Sequence, residues 1–380
     1  MSAQIASPKR VEDDRVPTPA HTTPASAGAP AVRPSYLRIA FWVAVVAVVL
    51  AAIVPFIVSD YDLFNLSRVA AVAIGVASLN LLTGFSGQVS LGQGAIFGIG
   101  GYAAMMSMRF LDLSPWLALL VAIAAGAVVG LIIGLPAMRM GGFNLGLLTI
   151  VIAALFPVLL YRFSDFTGGQ AGVTLSAPAL PSPTASLTDA QWLYLVVLAL
   201  LVITIVFLNR LVGRRTGRAL ALIRAGRILA VSSGVDTTRV KLQLFVISSI
   251  IAAFGGAIFA FVLGLVVPES YPLIFSITIL VASVVGGSRS WVGAVLGAAI
   301  VVYLPSITSS VIPGEASAYL AQLIFAVVLG VCVIVAPNGI AGGIRRIAIS
   351  VQRRSRARRS RPTPPPTTAA EITPNREETR

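Results

Sequence analysis

Leu79–Met105 reads LNLLTGFSGQVSLGQGAIFGIGGYAAM. Seven glycines fall between Gly84 and Gly101, interleaved with Gln88, Ser90 and Gln93, and Asn80 stands just before them. Glycine weakens a helix, and a buried amide or hydroxyl without a partner is costly. The segments on both sides are nonetheless strongly apolar. A polar, glycine-rich stretch in such surroundings fits a membrane helix that is interrupted and lines a cavity. The alternative is buried hydrogen bonding between helices that small residues allow to approach closely. On the first reading Asn80, Gln88, Ser90 and Gln93 are candidate residues of a translocation pathway.

The surroundings of that stretch set the fold class. Of 380 residues, 57% are hydrophobic and 11% charged, with a mean hydropathy of +0.91. A soluble chain carries roughly 25% charged residues. Apolar runs of about 18 residues or more recur along the length, as in a polytopic helical membrane protein. A membrane β-barrel needs alternating segments of about 10 residues, and the sequence has none. The expected fold is all-α, a transmembrane helical bundle of about ten spans. The apolar segments are 39–58, 69–83, 88–108, 116–135, 143–161, 192–208, 242–266, 273–286, 291–312 and 318–336. The second and eighth are short for a straight span, so they are expected to be tilted, broken or re-entrant.

Charge gives the orientation. The net charge of +14 sits between and beyond the apolar segments, where basic residues determine topology rather than bind nucleic acid. With the N-terminus inside, 25 of the 28 Lys and Arg residues face the cytoplasm. Arg68, Arg109 and Arg162 remain in outer connections. Acidic residues divide evenly, so the bias is in positive charge. Ten spans with both termini cytoplasmic follow. Residues 1–37 form a proline-rich, disordered cytoplasmic tail, 38–345 the transmembrane domain, and 346–380 a basic, Pro/Thr-rich disordered tail. The first apolar stretch starts too late and runs too long for a cleavable signal peptide.

Several kinds of chemistry are excluded. His21 is the single histidine and Cys332 the single cysteine, so neither a metal site nor a histidine-based catalytic centre is expected. Lys9 and Lys241 are the only lysines, and neither ends a phosphate-binding loop. Gly92–Gly98, GQGAIFG, has the wrong spacing for a dinucleotide fingerprint and no βαβ unit around it. No cofactor is expected, and the chain cannot hydrolyse ATP alone. None of the fourteen Asp and Glu residues lies inside an expected span, against the habit of ion-coupled carriers.

A transporter without its own motor needs a surface on which one docks. The inner connection 209–241 offers Ala219, Leu220, Leu222, Ile223 and Ile228 on one apolar helical face, with Arg218, Arg224 and Arg227 offset from it. A short amphipathic helix ending at Gly234 could enter a partner's cleft. The same helix could instead lie on anionic headgroups. The four-residue spacings Gly126/Gly130/Gly134, Gly94/Gly98 and Gly293/Gly297 read as close helix packing.

Taken in order along residues 65–345, the motifs resemble the permease subunits of branched-chain amino acid ABC importers. The Leu79–Met105 stretch resembles the family's N-terminal signature. GRALALIRAGRILAVSSGVDTTRVKLQLFVISSIIAAFGGAIFAF, Gly217–Phe261, resembles its coupling loop and following span. FTGGQAGVT, VVGGSRSWVGAVLGAAI and PNGIAGGI follow in the same order. The TGG motif and TRVKLQLF resemble the LivM-type subunit more than its LivH-type partner. The resemblance implies a bacterial cytoplasmic-membrane complex. Two permeases, usually a heterodimer of homologous subunits, form the pathway, separate ABC ATPase subunits dock on the coupling loops, and an extracytoplasmic substrate-binding protein delivers the solute. It places Gly217, Arg218, Ile223, Arg224, Ala230 and Gly234 in the ATPase-coupling loop. The family carries acidic residues after the arginine, where this chain has Ala225 and Arg227.

Three other readings compete. Urea, amide and sugar permeases share parts of the pattern. A secondary carrier or channel would have no use for a docking helix. A membrane enzyme would need converging His, Asp, Glu, Cys or Lys residues, which the spans do not supply.

Overall fold

The computed structural model describes residues 48–137, 142–184, 186–213, 215–311 and 327. The chain divides into two units, Met1–Val49 and Leu50–Arg380. Of the first, only Val48 and Val49 are described, both helical and exposed. Both tails lie outside the described residues.

The second unit is a helical bundle. Helix α1 (Asp60–Leu79) starts where the Ser59 hydroxyl accepts from the Asp62 N–H and two carboxylates face the positive end of the helix dipole. It continues as a π-helical segment, Asn80–Ser86. An extended linker leads to α2 (Gln93–Leu111), then α3 (Pro115–Ala137) and α4 (Gly142–Arg162). Helix α5 (Asp189–Gly213) is followed by two short helices, α6 (Arg215–Ala225) and α7 (Arg227–Ser232). Helix α8 (Thr237–Leu263) is capped by Asp236, whose carboxylate accepts from the Thr238 and Arg239 N–H groups. Helices α9 (Leu273–Gly286) and α10 (Trp291–Val311) complete the described bundle.

Helix α8 is the axis of the packing. It lies against α1, α2 and α3, while α10 runs along α1 and pairs with α9. The apolar window of the span Asp60–Ser86 is 89% buried and that of α8 is 72% buried, against 22% for α5. The first two are therefore interior helices, and α5 lies at the periphery of the bundle. Glycines set the distance between the interior helices. A Cβ on Gly256 would lie 1.7 Å from the Phe97 carbonyl oxygen, and one on Gly100 would lie 2.0 Å from that of Ala253. Backbone rests on backbone at this crossing, as the small-residue spacing predicts.

Eight of the ten expected segments correspond to helices among the described residues. Among the described residues, six helical segments are long and apolar enough to cross a membrane: those of α1, α3, α4, α5, α8 and Pro268–Gly286. Segment 318–336, apart from Val327, and the first part of 39–58 fall outside the described residues. Four expectations change in detail. Segment 69–83 is not a short span but the second part of a 27-residue helical run from Asp60 to Ser86. Its polar first turns, with Asp60, Asp62 and Asn65, hide it from a hydropathy reading. Arg68 accordingly sits within α1, not in an outer connection. Its guanidinium lies over the Phe64 ring, 5.6 Å from the centroid, and donates to Asn65 Oδ1 at 3.4 Å. Residues 88–92 are not helical, so the third segment begins at Gln93.

The fourth change is a small sheet in an otherwise helical fold. Strands β1 (Val173–Thr174) and β2 (Leu265–Val266) pair antiparallel, Val173 opposite Val266. The TGGQAG motif makes the turn into β1. Gly172 has φ +67°, and a Cβ there would meet the Val266 carbonyl oxygen at 2.1 Å. The ribbon is tied to the end of α2 by Arg109, which donates to the Thr174 carbonyl at 3.3 Å.

Gly256→Ala should lower stability by about 1–3 kcal/mol, because the methyl group has no space without separating α2 from α8. Gly213→Ala, with open space around it, should leave stability unchanged or raise it. Thermal unfolding of the two purified variants in detergent checks the pair.

Candidate translocation site and coupling loop

The four polar residues of the opening stretch are all buried, and they divide into two kinds. Asn80 and Gln93 join helices. Asn80 Nδ2 donates to the Ser290 carbonyl at 3.1 Å, and its Oδ1 accepts from the Ser283 hydroxyl at 2.5 Å. This pins the start of the π-helical segment to the α9–α10 connection. Gln93 Nε2 donates to Ser78 Oγ at 2.8 Å and to Ser248 Oγ at 2.9 Å. Ser248 Oγ donates in turn to the Ser78 carbonyl at 2.7 Å. Helices α1, α2 and α8 thus share one buried polar knot.

Gln88 and Ser90 are different. Both ends of the Gln88 amide and the Ser90 hydroxyl are buried with no hydrogen-bond partner, as is Gln93 Oε1. Leaving such a group unsatisfied costs about 1–3 kcal/mol. The linker that carries them leans on α4, where the Leu91 N–H donates to Thr149 Oγ at 2.9 Å. Three more hydroxyls are buried without partners: Tyr102 on α2, Tyr271 just before α9 and Ser276 on α9.

The expected coupling loop is helical, as its apolar periodicity implies, but it is two helices rather than one. Gly226 adopts extended backbone (φ 161°) and breaks the run between α6 and α7. Ala230 and Leu220 are buried. Gly217 lets α6 turn back on α5, since a Cβ there would lie 1.7 Å from the Val212 carbonyl oxygen. Gly234, at φ +75°, ends the element as expected. Arg218 is exposed and Ile223 half-buried. Ile228 is 87% exposed, with Val231 and Leu229 beside it in the chain also exposed.

Arg224 connects this element to the bundle. Its Nη1 donates to the Gly84 carbonyl, and Arg289 Nε donates to the same oxygen at 3.4 Å. Burial, then the neighbouring Arg289 charge, pushes the Arg224 guanidinium below its ordinary pKa. The two arginines, Gly84, Phe85, Gly217 and Leu220 line a cleft of about 410 Å³. Gly84 itself admits no side chain, because its Cβ would fall on the Ser288 carbonyl. Phe85 stacks on Trp291, ring centroids 5.0 Å apart.

Sequence reasoning missed Ser78, Ser248, Ser283 and Arg289 as partners. The available signal was the serine hydroxyls inside apolar spans, which tend to mark helix contacts. Among the described residues no group of His, Cys, Asp or Glu could hold a metal ion.

Apolar helices of spanning length around buried polar contacts define a multi-pass, helical membrane protein. The chain belongs to the family described as branched-chain amino acid transport system / permease component, whose profile matches residues 63–336. It is 30% identical over 282 residues to the high-affinity branched-chain amino acid transport system permease protein LivM of Salmonella typhimurium. That alignment covers 67% of this chain and 65% of the relative, so the chain spans just under two thirds of its length. LivM of Escherichia coli gives the same figures. The probable branched-chain amino acid transport permease protein LivH of Methanocaldococcus jannaschii is 26% identical over 263 residues, covering 66% of this chain and 82% of the relative.

A double-mutant cycle between Gln93→Ala and Ser248→Ala should return a coupling of roughly 0.6–1.7 kcal/mol, the range for hydrogen bonds between membrane helices. Equilibrium unfolding in mixed micelles measures it. Additive effects would mean that the knot does not hold α2 to α8.

Proposed function

We propose that the chain is the membrane-spanning permease subunit of an ABC importer that translocates branched-chain or related amino acids. Its family membership and its likeness to LivM support this. Separate ATPase subunits power it, a homologous permease subunit completes the pathway, and an extracytoplasmic binding protein supplies the amino acid. The complex resides in the bacterial cytoplasmic membrane, with the α6–α7 element on the cytoplasmic face. Asn80, Gln88, Ser90 and Gln93 belong to the pathway or to the hinge beside it.

One observation carries the coupling role. The α6–α7 element presents Ile228 outward and grips the Gly84 carbonyl through Arg224, four residues earlier across the Gly226 break. A partner that seats on Ile228 and moves α6 displaces the last turn of α1, and with it Asn80 and the linker bearing Gln88 and Ser90. Such a lever needs no nucleotide site of its own. Gly217 and Gly234 set its two ends, while Arg218 and Ile223, on different faces of α6, are the expected contacts of the ATPase.

Affinity purification from native membranes in mild detergent, with mass spectrometry, tests the assembly. An ATPase pair, a second permease and a binding protein should be recovered. Recovery of the chain alone, even after cross-linking, would favour a carrier or channel. Two variants then separate docking from coupling. Ile228→Glu removes an apolar anchor of about 1.5–3 kcal/mol, so ATPase affinity should fall roughly tenfold or more while the exposed change leaves folding intact. Arg224→Ala should retain the ATPase but lose ATP-driven leucine uptake. Normal uptake by both variants would remove the coupling assignment.

A further inference from the structure

Away from the coupling loop, six aromatic rings meet between α2, α4, α8 and the start of α9. Tyr271 is the hub. Its ring centroid lies 6.3 Å from Phe97, 6.4 Å from Tyr102 and Phe259, 6.5 Å from Phe156 and 5.9 Å from Phe275. It is 1% exposed. It stands just before α9, on the short connection that runs from Gly264 through β2 and the turn Pro268–Ser270.

Three features separate this cluster from an ordinary aromatic core. The Tyr271 and Tyr102 hydroxyls and Ser276 Oγ are all buried and all without a hydrogen-bond partner. Phenylalanine and alanine would pack there without that penalty. Where Tyr271 and Ser276 lie against α2, that helix presents glycines. A Cβ on Gly98 would meet the Tyr271 ring at 2.9 Å, one on Gly101 its hydroxyl at 2.9 Å, and one on Gly94 Ser276 Oγ at 2.5 Å. The first turn of α9 has no side-chain cap, so the positive end of its dipole opens beside the same groups. Aromatic rings, hydroxyls without partners and an uncapped helix start surround the phenol of Tyr271.

On the reading of the chain as an amino-acid permease, we propose that Tyr271 is the closed gate of the conduit. When it withdraws, a zwitterionic amino acid with an aliphatic side chain takes its place. The side chain lies between Phe97, Phe156 and Phe259 against Gly98. The carboxylate meets the start of α9, and the Ser276 and Tyr102 hydroxyls gain the partners they lack in the closed state. The connection from Gly264 to Pro272 carries the motion.

The test uses the assembled transporter in native membrane vesicles, with Cys332→Ala to remove the endogenous thiol. Ser276→Cys should be inert to 2-aminoethyl methanethiosulfonate at rest and react during ATP turnover. Leucine at ten times its half-saturating concentration should slow that labelling roughly tenfold. Labelling at the same rate with and without ATP, or none in a complex that transports leucine, would overturn the gate. Labelling that leucine does not slow would overturn the occupant. Should Ser276→Cys fail to assemble, Tyr271→Phe decides. It should unfold at no lower temperature than the parent, yet show altered KM and turnover for leucine uptake. Parent-like uptake would overturn the proposal. Failure of the parent complex to transport leucine, isoleucine or valine would instead strike the proposed substrate. The ATP-dependence of Ser276→Cys labelling would still report on the gate.

Discussion

The bundle depends on a contact that side chains would forbid. At the crossing of α2 and α8, Gly100 faces the Ala253 carbonyl and Gly256 faces that of Phe97, with no room for a methyl group on either helix. Lipid is as apolar as leucine, so burial of hydrocarbon cannot by itself bring these helices together. Close backbone approach gives dispersion and short-range polar contact instead. Once α2 and α8 are this close, Gln93 reaches Ser248 and Ser78 directly, and three helices share one knot. The glycines of the opening stretch therefore have a structural task distinct from that of the amides among them.

That contact also decides which parts can move. The knot at Gln93 is made through its amide nitrogen, whereas the side chains of Gln88 and Ser90, a few residues earlier, have no hydrogen-bond partner. The linker that bears them is held by the Gln88 N–H on the Leu82 carbonyl at 3.0 Å and by the Leu91 N–H on Thr149. The π-helical end of α1 is held differently, by two arginines converging on the Gly84 carbonyl and by Asn80 on the α9–α10 connection. Hydrogen bonds to charged groups contribute about 1.5–3 kcal/mol each, more than neutral ones. A displacement of α6 is thus transmitted to α1 more firmly than α1 transmits it to the linker. Rigid handle and loose linker together are what a lever acting on a gate requires.

The sequence made the long apolar helices legible because their composition alone sets them apart. It failed where polar residues occur inside a helix. Asp60, Asp62 and Arg68 lowered the local hydropathy, so the first half of α1 read as a connection and Arg68 as an outer charge. The coupling element was visible as an apolar periodicity, but periodicity does not show that Gly226 is extended. Asn80 and Gln93 stand out in the sequence as polar residues in apolar surroundings. The sequence allows either cavity lining or interhelical hydrogen bonding for them, and only tertiary structure brings Ser248 and Ser283 to them. Tyr271 was invisible for the same reason, because the five rings around it come from positions as distant as Phe97 and Phe275.

A pathway must bind its cargo weakly enough to release it. Unpaired buried polar groups meet that demand in a specific way. Each raises the free energy of the closed bundle, so a solute that satisfies them recovers part of that cost on entry and gives up little on leaving. A fully satisfied polar cavity would hold an amino acid too firmly, and a purely aromatic one would not admit its charged head group. The chain places its unsatisfied groups at two levels of α2 and its neighbours, Gln88 and Ser90 near the linker and Tyr102, Tyr271 and Ser276 higher along the helices. Between them lies Gln93, whose amide nitrogen is held by Ser78 and Ser248 while its Oε1 is unpartnered. On the proposed function, a solute passing from the aromatic cluster to the linker would exchange one incomplete set of partners for another, with the α2–α8 crossing fixed behind it.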